Sequence, residues 1–364
     1  MTLNESGAGP APDVPGLVIY RRRSAATGWA LARCRHDGSR DSLGLIPDPP
    51  GECEAAVITT AELRAEDFDT LLVSWNARVP PGATLAVEAR VRQTGQRARW
   101  LRLAYWTEGE ERQSPVGEVD AEACVLTDTL SLTRPAQAWQ VRVTLNPGAP
   151  RLAALPRLDC LAVQTRLRSS VGSPAQEASF SDAPRFLGRE LVVPPISQNA
   201  FTGGGEGWCS PSSLTMLLRY WRDTLGSPGA APLVPDVARG VFDRVYGGCG
   251  NWAFNVAYAG RGALRAYLAL LPNLRAAEAF LAAGRPLAVS FAWREGQLPG
   301  APLPSSRGHV VVLRGFAANG DVIVNDPAAP SELEVRRAYP REAFSRLWLE
   351  HSLGLAYILE PIEV

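Results

Sequence analysis

The sequence lacks lysine, and it also lacks an excess of charge of either sign. All 37 basic residues are arginine, and 37 acidic residues balance them. A balanced surface does not favour nucleic acid or an anionic membrane as a partner. No apolar stretch approaches the roughly 20 residues that a membrane-spanning helix needs. We therefore expect an ordinary soluble globular protein that binds neither nucleic acid nor a membrane.

Histidine and cysteine are also scarce, which bears on metal binding. The six cysteines include no CxxC pair, and they form no ligand-like cluster with the three histidines, His36, His309 and His351. Structural zinc sites are usually built from such clustered ligands. The sequence accordingly predicts no metal and no cofactor.

The N-terminus lacks the basic start and the apolar run of a signal peptide. A cytoplasmic location is expected if translation starts at Met1, whereas a start further upstream would allow secretion. The sequence does not decide between the two.

Length and periodicity predict two domains and a linker. A chain of 364 residues is long for a single domain. Over residues 16–166, short runs of β-branched and aromatic residues alternate with polar residues and are broken by Pro and Gly, which is typical of half-buried antiparallel strands. We predict an all-β sandwich of the jelly-roll kind there. Residues 167–188 are rich in Ser, Ala and Pro and form the predicted linker.

The remaining residues, 189–364, show helical periodicity first and strand periodicity afterwards. This order predicts an α+β domain. Helices are expected near residues 235–246, 254–270 and 276–283, and strands begin near residue 286.

Four aromatic residues on the predicted strands of the sandwich raise the question of a sugar ligand. They are Trp75, Trp100, Tyr105 and Trp106. Such rings can stack on a sugar, but aromatic residues at strand spacing more often belong to the core. A carbohydrate or cell-surface ligand is therefore a hypothesis for this domain.

Cys209 lies where a glycine-rich loop meets a predicted amphipathic helix. Residues 202–205 cannot build a regular element, whereas apolar residues recur at helical spacing between 214 and 221. Ser210 is the predicted N-cap, and Pro211 fits the first turn. The free N–H groups and the dipole of a helix start favour a thiolate. We therefore expect Cys209 to be an activated nucleophile rather than a buried structural cysteine.

A cysteine nucleophile needs a base and a group that orients the base, and His309 and Asp326 are the candidates. They flank an AsnGly pair at 319–320 between two apolar runs, which predicts a β-hairpin. A two-residue loop places Asp326 opposite Leu313, and a four-residue loop places it opposite Val311. In both registers Asp326 shares a face with His309, and the longer loop makes the two residues diagonal neighbours.

An acyl-transfer site also needs hydrogen-bond donors for the oxyanion. The backbone N–H of Cys209 at the helix start is one candidate. The side-chain amide of Gln198, on the other side of the glycine-rich loop, is the second.

Four segments together resemble a known family: Gln198, the TrpCysSerProSerSer helix start, GlyHisValValValLeuArgGlyPhe and ValAsnAspPro. They resemble papain-fold cysteine peptidases related to the bacteriocin-leader-processing peptidases of family 39, in the C39-like branch that is not fused to a transporter. The resemblance covers about residues 190–361, and the preceding sandwich is similar to accessory domains of this branch. A serine follows Cys209 where these motifs commonly have glycine.

The resemblance implies a papain-like cysteine peptidase domain that hydrolyses peptide bonds. In it Cys209 is the nucleophile, His309 the general base and acid, Asp326 the residue that orients His309, and Gln198 the oxyanion donor. The implied partner is a peptide or protein substrate. Residues expected to contact that substrate are Trp208, Asn251, Trp252 and Asn255.

Two other functions remain open. The same triad serves cysteine acyltransferases and amidases, and nothing in the sequence separates water from an amine as the acceptor. Alternatively, the protein is a non-catalytic binding protein whose working surface is the β-sandwich.

Overall fold

The computed structural model describes residues 11–21, 26–39, 42–48, 54–93, 96–97, 99–120, 122–148 and 155–362. These residues form two compact units. One contains Ser169–Arg239 and Ala269–Pro361, and the other contains Gly16–Arg168 and Gly240–Leu268. We call the first the cysteine unit, because it contains Cys209, and the second the strand-rich unit.

Strands make up most of the regular structure in the described residues. In chain order they are β1 Leu17–Tyr20, β2 Ala30–Ala32, β3 Cys34–His36, β4 Leu45–Pro47, β5 Ala56–Thr59, β6 Leu63–Arg78, β7 Thr84–Gln93, β8 Gln96–Arg97, β9 Leu101–Trp106, β10 Val119–Asp120, β11 Ala123–Leu126, β12 Thr129–Asn146, β13 Arg157–Arg166, β14 Arg189–Glu190, β15 Leu264–Leu270, β16 Leu287–Trp293, β17 Ser306–Phe316, β18 Val322–Asn325, β19 Arg336–Tyr339 and β20 Leu355–Pro361.

Every α-helix of the described residues follows β13. The α-helices are α1 Pro174–Ala178, α2 Cys209–Thr224, α3 Val234–Val241, α4 Trp252–Ala259, α5 Leu274–Ala282 and α6 Arg341–Ser352. Short 3-10 helices span Arg168–Ser170, Gln198–Ala200, Gly205–Gly207 and Glu332–Glu334.

The strand-rich unit is built around the long strand β12. Its first half pairs with β6, and its second half pairs with β7 and β5. The register of the β12–β6 ladder shifts on either side of Ala136, next to Pro135, which has no N–H to offer a ladder. The strand order is β10-β11-β12-β6-β13-β4-β3. The prediction of a strand-rich N-terminal region is confirmed, while its jelly-roll character stays a prediction.

The alternation read from the sequence matches the burial of β7 and β12. Every second residue from Leu85 to Val91 and from Trp139 to Leu145 is buried. The reason is that successive side chains of a strand point to opposite faces of the sheet.

Two of the four aromatic residues considered for sugar binding belong to the core. Trp75 and Trp106 are each 1% exposed and pack edge to face with Phe254 of α4. Trp100 is half-buried, and the guanidinium groups of Arg90 and Arg142 each lie 4.5 Å from its ring centroid. The hypothesis of a sugar ligand therefore rests on Trp100 and on Tyr105, which is also half-buried.

The expectation of one helix over residues 254–270 is wrong in its second half. Helix α4 ends at Ala259, and β15 occupies Leu264–Leu270 with every residue buried. A strand that is buried on both faces reads as a continuous apolar run, so its periodicity does not separate it from a helix.

Buried polar side chains hold residues 240–268 within the strand-rich unit. Asn76 exchanges two hydrogen bonds with the backbone of Ala266, at 2.7 and 3.1 Å. The carboxylate of Asp128 accepts the N–H of Trp252 at the start of α4, and Asp243 accepts the N–H of Ser114 at 3.0 Å. The predicted C-terminal domain, 189–364, thus contributes residues to both compact units, and its boundaries stay a prediction.

The cysteine unit contains an antiparallel sheet in the order β20-β16-β17-β18-β19, with β14 paired to β17. Helix α2 packs against β16 and β17. Of its predicted apolar stripe, Leu214, Leu217 and Trp221 are buried and Leu218 is half-buried. The amphipathic helix is therefore present where the periodicity predicts it.

The predicted linker contains helix α1, and its C-terminal end is anchored to the cysteine unit. The side chain of Glu278 on α5 is fully buried. Its carboxylate accepts hydrogen bonds from Arg185 at 2.8 Å, Arg275 at 2.6 Å and Arg341 at 2.7 Å. The N–H of Phe186 also donates to it, at 3.3 Å. Burial raises the pKa of Glu278, but these donors outweigh burial and lower the pKa below its usual value.

We expect Asp128→Asn to make the stability of the protein less dependent on pH. Burial raises the pKa of Asp128 to about 6, above the unfolded value of about 3.9, although the N–H of Trp252 opposes the rise. Between pH about 4 and 6 the folded state therefore binds more protons at Asp128 than the unfolded state does. The free energy of unfolding consequently falls as pH rises through this range. Urea unfolding should show the variant gaining about 3 kcal/mol over wild type between pH about 4 and 7. A pH-independent difference would contradict this.

We expect Glu278→Gln to destabilise the protein by about 3 kcal/mol at neutral pH, because it removes the charge that compensates three arginines. The lowered folded pKa means that this stability is present above the unfolded pKa and lost as pH falls through the folded one. Urea unfolding at two pH values measures both effects. Glu342→Gln, at an exposed position of α6, is the matched control. Equal loss in the two variants would contradict the role of Glu278.

Candidate active site

Helix α2 begins at Cys209, with Trp208 as its N-cap and no side-chain cap. The expectation that Ser210 is the N-cap is therefore wrong. Ser210 is buried in the first turn, where its hydroxyl lies 3.0 Å from the hydroxyl of Tyr357. Cys209 as a residue remains partly exposed.

The glycine-rich loop brings Gln198 close to the start of α2. A Cβ on Gly205 would lie 2.3 Å from the carbonyl oxygen of Gln198, so only glycine permits this approach. The buried amide of Gln198 donates from Nε2 to the carbonyl oxygen of Glu206 at 2.9 Å. Its backbone N–H donates to the carbonyl oxygen of Pro327, which follows Asp326, at 2.8 Å.

The β17–β18 hairpin has the longer-loop register at the site. Val312 pairs with Asn325 and Leu313 with Val324, and the register shifts by one residue beyond Leu313. Gly320 completes the turn with a positive φ of 93°. If this register is extended by one residue, Asp326 lies opposite Val311 and therefore on the face that carries His309.

His309 and Asp326 form a buried hydrogen-bonded pair. Nε2 of His309 lies 2.8 Å from Oδ1 of Asp326, and the two residues are 2% and 0% exposed. The pairing through Nε2 leaves Nδ1 of His309 for Cys209. The predicted triad residues are thus adjacent in the structure.

Three groups donate to the Asp326 carboxylate. Oδ1 accepts from His309 and from the N–H of Ala328 at 2.9 Å, and Oδ2 accepts from the hydroxyl of Tyr339 at 2.7 Å. Burial alone raises the pKa of Asp326, but His309 and these hydrogen bonds lower it below its usual value. Asp326 is therefore a carboxylate at neutral pH.

The same pair controls the protonation of His309. Burial lowers the pKa of His309, but the Asp326 carboxylate and the hydrogen bond to Cys209 raise it well above its usual value. The rings of Phe291 and Trp293 on β16 stand edge to face against the imidazole, with centroids at 6.1 and 5.5 Å. Neither ring offers a competing charge.

Cys209 has a lowered pKa. Burial raises the pKa of its thiol, but the hydrogen bond and charge of His309, together with the N–H groups of Val310 and Ser210, outweigh burial. A thiolate beside an imidazolium is the arrangement that activates a cysteine for attack on a carbonyl.

The residues expected to contact substrate have varied surroundings. Trp208 is partly exposed and packs on Phe201, with ring centroids 6.0 Å apart. The other three, Asn251, Trp252 and Asn255, belong to the strand-rich unit.

Asn251 and Asn255 are fully buried, and local hydrogen bonds use their amides. Asn251 caps α4 through the N–H of Phe254 and donates to Asp243 at 2.8 Å. Asn255 donates to the carbonyl oxygen of Cys249 at 2.9 Å. Trp252 is half-buried. The observed role of the two asparagines is structural, and substrate contact by these residues stays a prediction.

The sequence reasoning missed Tyr339, Phe291 and Trp293. Their places beside Asp326 and His309 follow from the β18–β19 and β16–β17 pairings. No turn motif marks those pairings in the sequence, so no local signal could have identified these residues.

Two features, a metal-ligand cluster and a membrane-spanning helix, are absent from the described part of the chain. It contains no group of three or more His, Cys, Asp or Glu side chains that could hold a metal ion. Among the residues that were placed, no helix has the length and apolar character to cross a membrane.

Family models match both halves of the chain. Residues 190–353 match the Peptidase C39 like family, and residues 30–165 match the Peptidase C39 N-terminal domain. No curated protein matches the sequence.

Two solved structures are similar at a low level. A C39-like peptidase from Bacillus anthracis is 15% identical, with 47% of this chain and 98% of that chain covered and a TM-score of 0.31. TmCBM61 in complex with β-1,4-galactotriose is 9% identical, with 40% of this chain and 95% of that chain covered and a TM-score of 0.27. Similarity at this level establishes neither a shared fold nor a shared ligand.

We expect Asp326→Asn to lower the pKa of His309, because it removes the negative charge that raises this pKa. The shift should be at least about one pH unit. It can be measured by NMR titration of the imidazole C–H signals. These signals are easy to assign because the chain has three histidines. His351 is the internal control, because burial rather than Asp326 lowers its pKa. An unchanged His309 titration would exclude Asp326 as its charge partner.

Proposed function

Since the chain belongs to the C39-like peptidases and carries their N-terminal accessory domain, we propose that it is a cysteine peptidase that uses Cys209, His309 and Asp326. The observation that carries the proposal is the buried His309–Asp326 hydrogen bond beside a partly exposed Cys209 at a helix start, where His309 lowers the pKa of the Cys209 thiol. Such an arrangement supplies a thiolate, a proton donor and a fixed imidazole at one place.

The proposed reaction has two steps. The Cys209 thiolate attacks the carbonyl carbon of a peptide bond, and Nδ1–H of the His309 imidazolium gives its proton to the leaving amine. A water molecule then loses a proton to the neutral His309 and attacks the thioester, which releases the acid and restores the thiolate. Asp326 keeps its charge throughout and holds His309 in the orientation that serves both steps.

Gln198 is the proposed side-chain donor to the oxyanion. One N–H of its amide binds the carbonyl oxygen of Glu206, which fixes the amide and leaves its second N–H to donate. The backbone N–H of Cys209, in the first turn of α2, is the other proposed donor because first-turn N–H groups have no intrahelical partner. Two such donors stabilise the negative charge that forms in each step.

We extend the proposal to the architecture. Residues 16–166 form a jelly-roll-like sandwich, residues 167–188 a linker, and residues 189–364 a papain-like α+β domain. The order α2, then β16 to β20, supports the last assignment because the nucleophile lies on the first long helix and its partners on the following sheet. A peptide or protein is the proposed substrate.

We expect limiting iodoacetamide at about pH 6 to modify wild-type protein once and rapidly, at Cys209, because ordinary thiols carry little thiolate at that pH. His309→Ala should slow this modification at least about tenfold, because it removes the charge that stabilises the thiolate. Intact-mass spectrometry measures the rates. Cys209→Ala should abolish both the rapid modification and peptide hydrolysis.

The control is Cys124→Ala, which removes another partly exposed cysteine and should leave both readouts unchanged. Slow labelling spread over several cysteines in all variants would contradict the proposal and favour a binding protein. Products that gain the mass of an added amine would instead identify an acyltransferase on the same triad.

A further inference from the structure

We propose that Tyr339 is a positioning residue for the Cys209–His309 pair and that it acts through Asp326. This role rests on the peptidase function proposed above. Tyr339 touches neither Cys209 nor His309 directly in the contacts of the described residues; its hydroxyl donates to Oδ2 of Asp326 at 2.7 Å. Oδ1, the other oxygen of the same carboxylate, faces His309.

The two oxygens of Asp326 have different partners, and this fixes the plane of the carboxylate. His309 and Ala328 both donate to Oδ1, and the hydroxyl of Tyr339 donates to Oδ2. Asp326 is 0% exposed, so water from the bulk does not reach Oδ2 to replace Tyr339. A buried carboxylate oxygen without a donor is costly. Loss of the Tyr339 hydroxyl would therefore leave Asp326 to rotate or to bind a proton.

The ring of Tyr339 is held independently of its hydroxyl. Tyr339 pairs with Val322 across the β18–β19 ladder, and its ring stacks on Phe344 of α6 with centroids 6.2 Å apart and an interplanar angle of 14°. The residue is fully buried. A phenylalanine at this position keeps the pairing and the stacking, so Tyr339→Phe isolates the hydroxyl.

Tyr339 stays a donor over the working pH range. Burial, followed by the charge of Asp326, raises the pKa of its hydroxyl far above the usual value, while the charge of Arg337 opposes the rise. The hydroxyl therefore remains protonated when Asp326 and Cys209 are ionised. It contributes the positive end of a dipole to a site that already holds two negative groups.

Removal of the Tyr339 hydroxyl should make the Cys209 thiolate less stable. The site loses a positive dipole end, and the carboxylate that orients His309 becomes less fixed. Both changes make the Cys209 thiolate less stable, so they raise the pH at which it forms. The variant leaves the other titratable side chains near the triad in place. They are His351 of α6, which approaches Gly308, Tyr357 of β20 and Arg337.

The test is the pH dependence of Cys209 alkylation by iodoacetamide in the full chain. In Tyr339→Phe the acid limb of the rate profile should move to higher pH by less than about one unit, because the lost hydrogen bond is to Asp326 and reaches Cys209 only through His309. The matched control is Tyr220→Phe, which removes a hydroxyl that donates to the carbonyl oxygen of Gly284 at 2.8 Å within the same unit. The control should leave the profile unchanged.

A double-mutant cycle shows whether Tyr339 acts through Asp326. In the Asp326→Asn background, Tyr339→Phe should cause a clearly smaller shift, because the charge that receives its hydrogen bond is gone. An equal shift in both backgrounds would overturn the proposed route. If Tyr339→Phe does not fold, 3-fluorotyrosine placed at position 339 alone makes the hydroxyl a stronger donor and should move the acid limb to lower pH.

The outcomes separate this inference from the proposed function. A rapidly alkylated Cys209 whose profile is identical in wild type and Tyr339→Phe overturns the role of Tyr339 and leaves the peptidase proposal intact, even if the variant unfolds at lower temperature. A wild-type Cys209 with no acid limb below the usual thiol range overturns both, because there is then no activated pair for Tyr339 to position.

Discussion

The buried hydrogen bond between His309 and Asp326 is the constraint on which the site depends. A carboxylate with no exposure is stable only if donors satisfy both of its oxygens. The structure supplies them from three places: the imidazole on β17, the backbone after β18 and a hydroxyl on β19. The geometry of the site therefore requires the correct pairing of three neighbouring strands.

The proposed nucleophile depends on a different element. Cys209 lies at the first position of α2, and the buried apolar stripe of that helix fixes it against β16 and β17. Hydrophobic packing thus sets the place of the helix, while the free N–H groups of its first turn and the charge of His309 set the ionisation of the thiol. The glycine at 205 is needed because the chain of Gln198 passes too close for any side chain.

The match to the C39-like family and the compact units divide the chain differently. The family match covers residues 190–353, whereas residues 240–268 pack within the strand-rich unit. Asn76, Asp128 and Asp243 make the hydrogen bonds involved, and all three are buried. Because an unpaired buried polar group costs free energy, these residues tie the folding of this segment to the N-terminal strands. The N-terminal strands accordingly have a structural role for residues 240–268.

The sequence by itself determined the elements whose signals are local. Helical spacing located α2 and its start at Cys209, alternation located β7 and β12, and the AsnGly pair located the hairpin that joins His309 and Asp326. The hairpin register stayed open between two loops, because a bulge after Leu313 has no sequence signature. Only the tertiary structure decided it, together with the strand nature of Leu264–Leu270 and the places of Tyr339 and Glu278. Those features depend on contacts between residues far apart in the chain, and no local periodicity encodes such contacts.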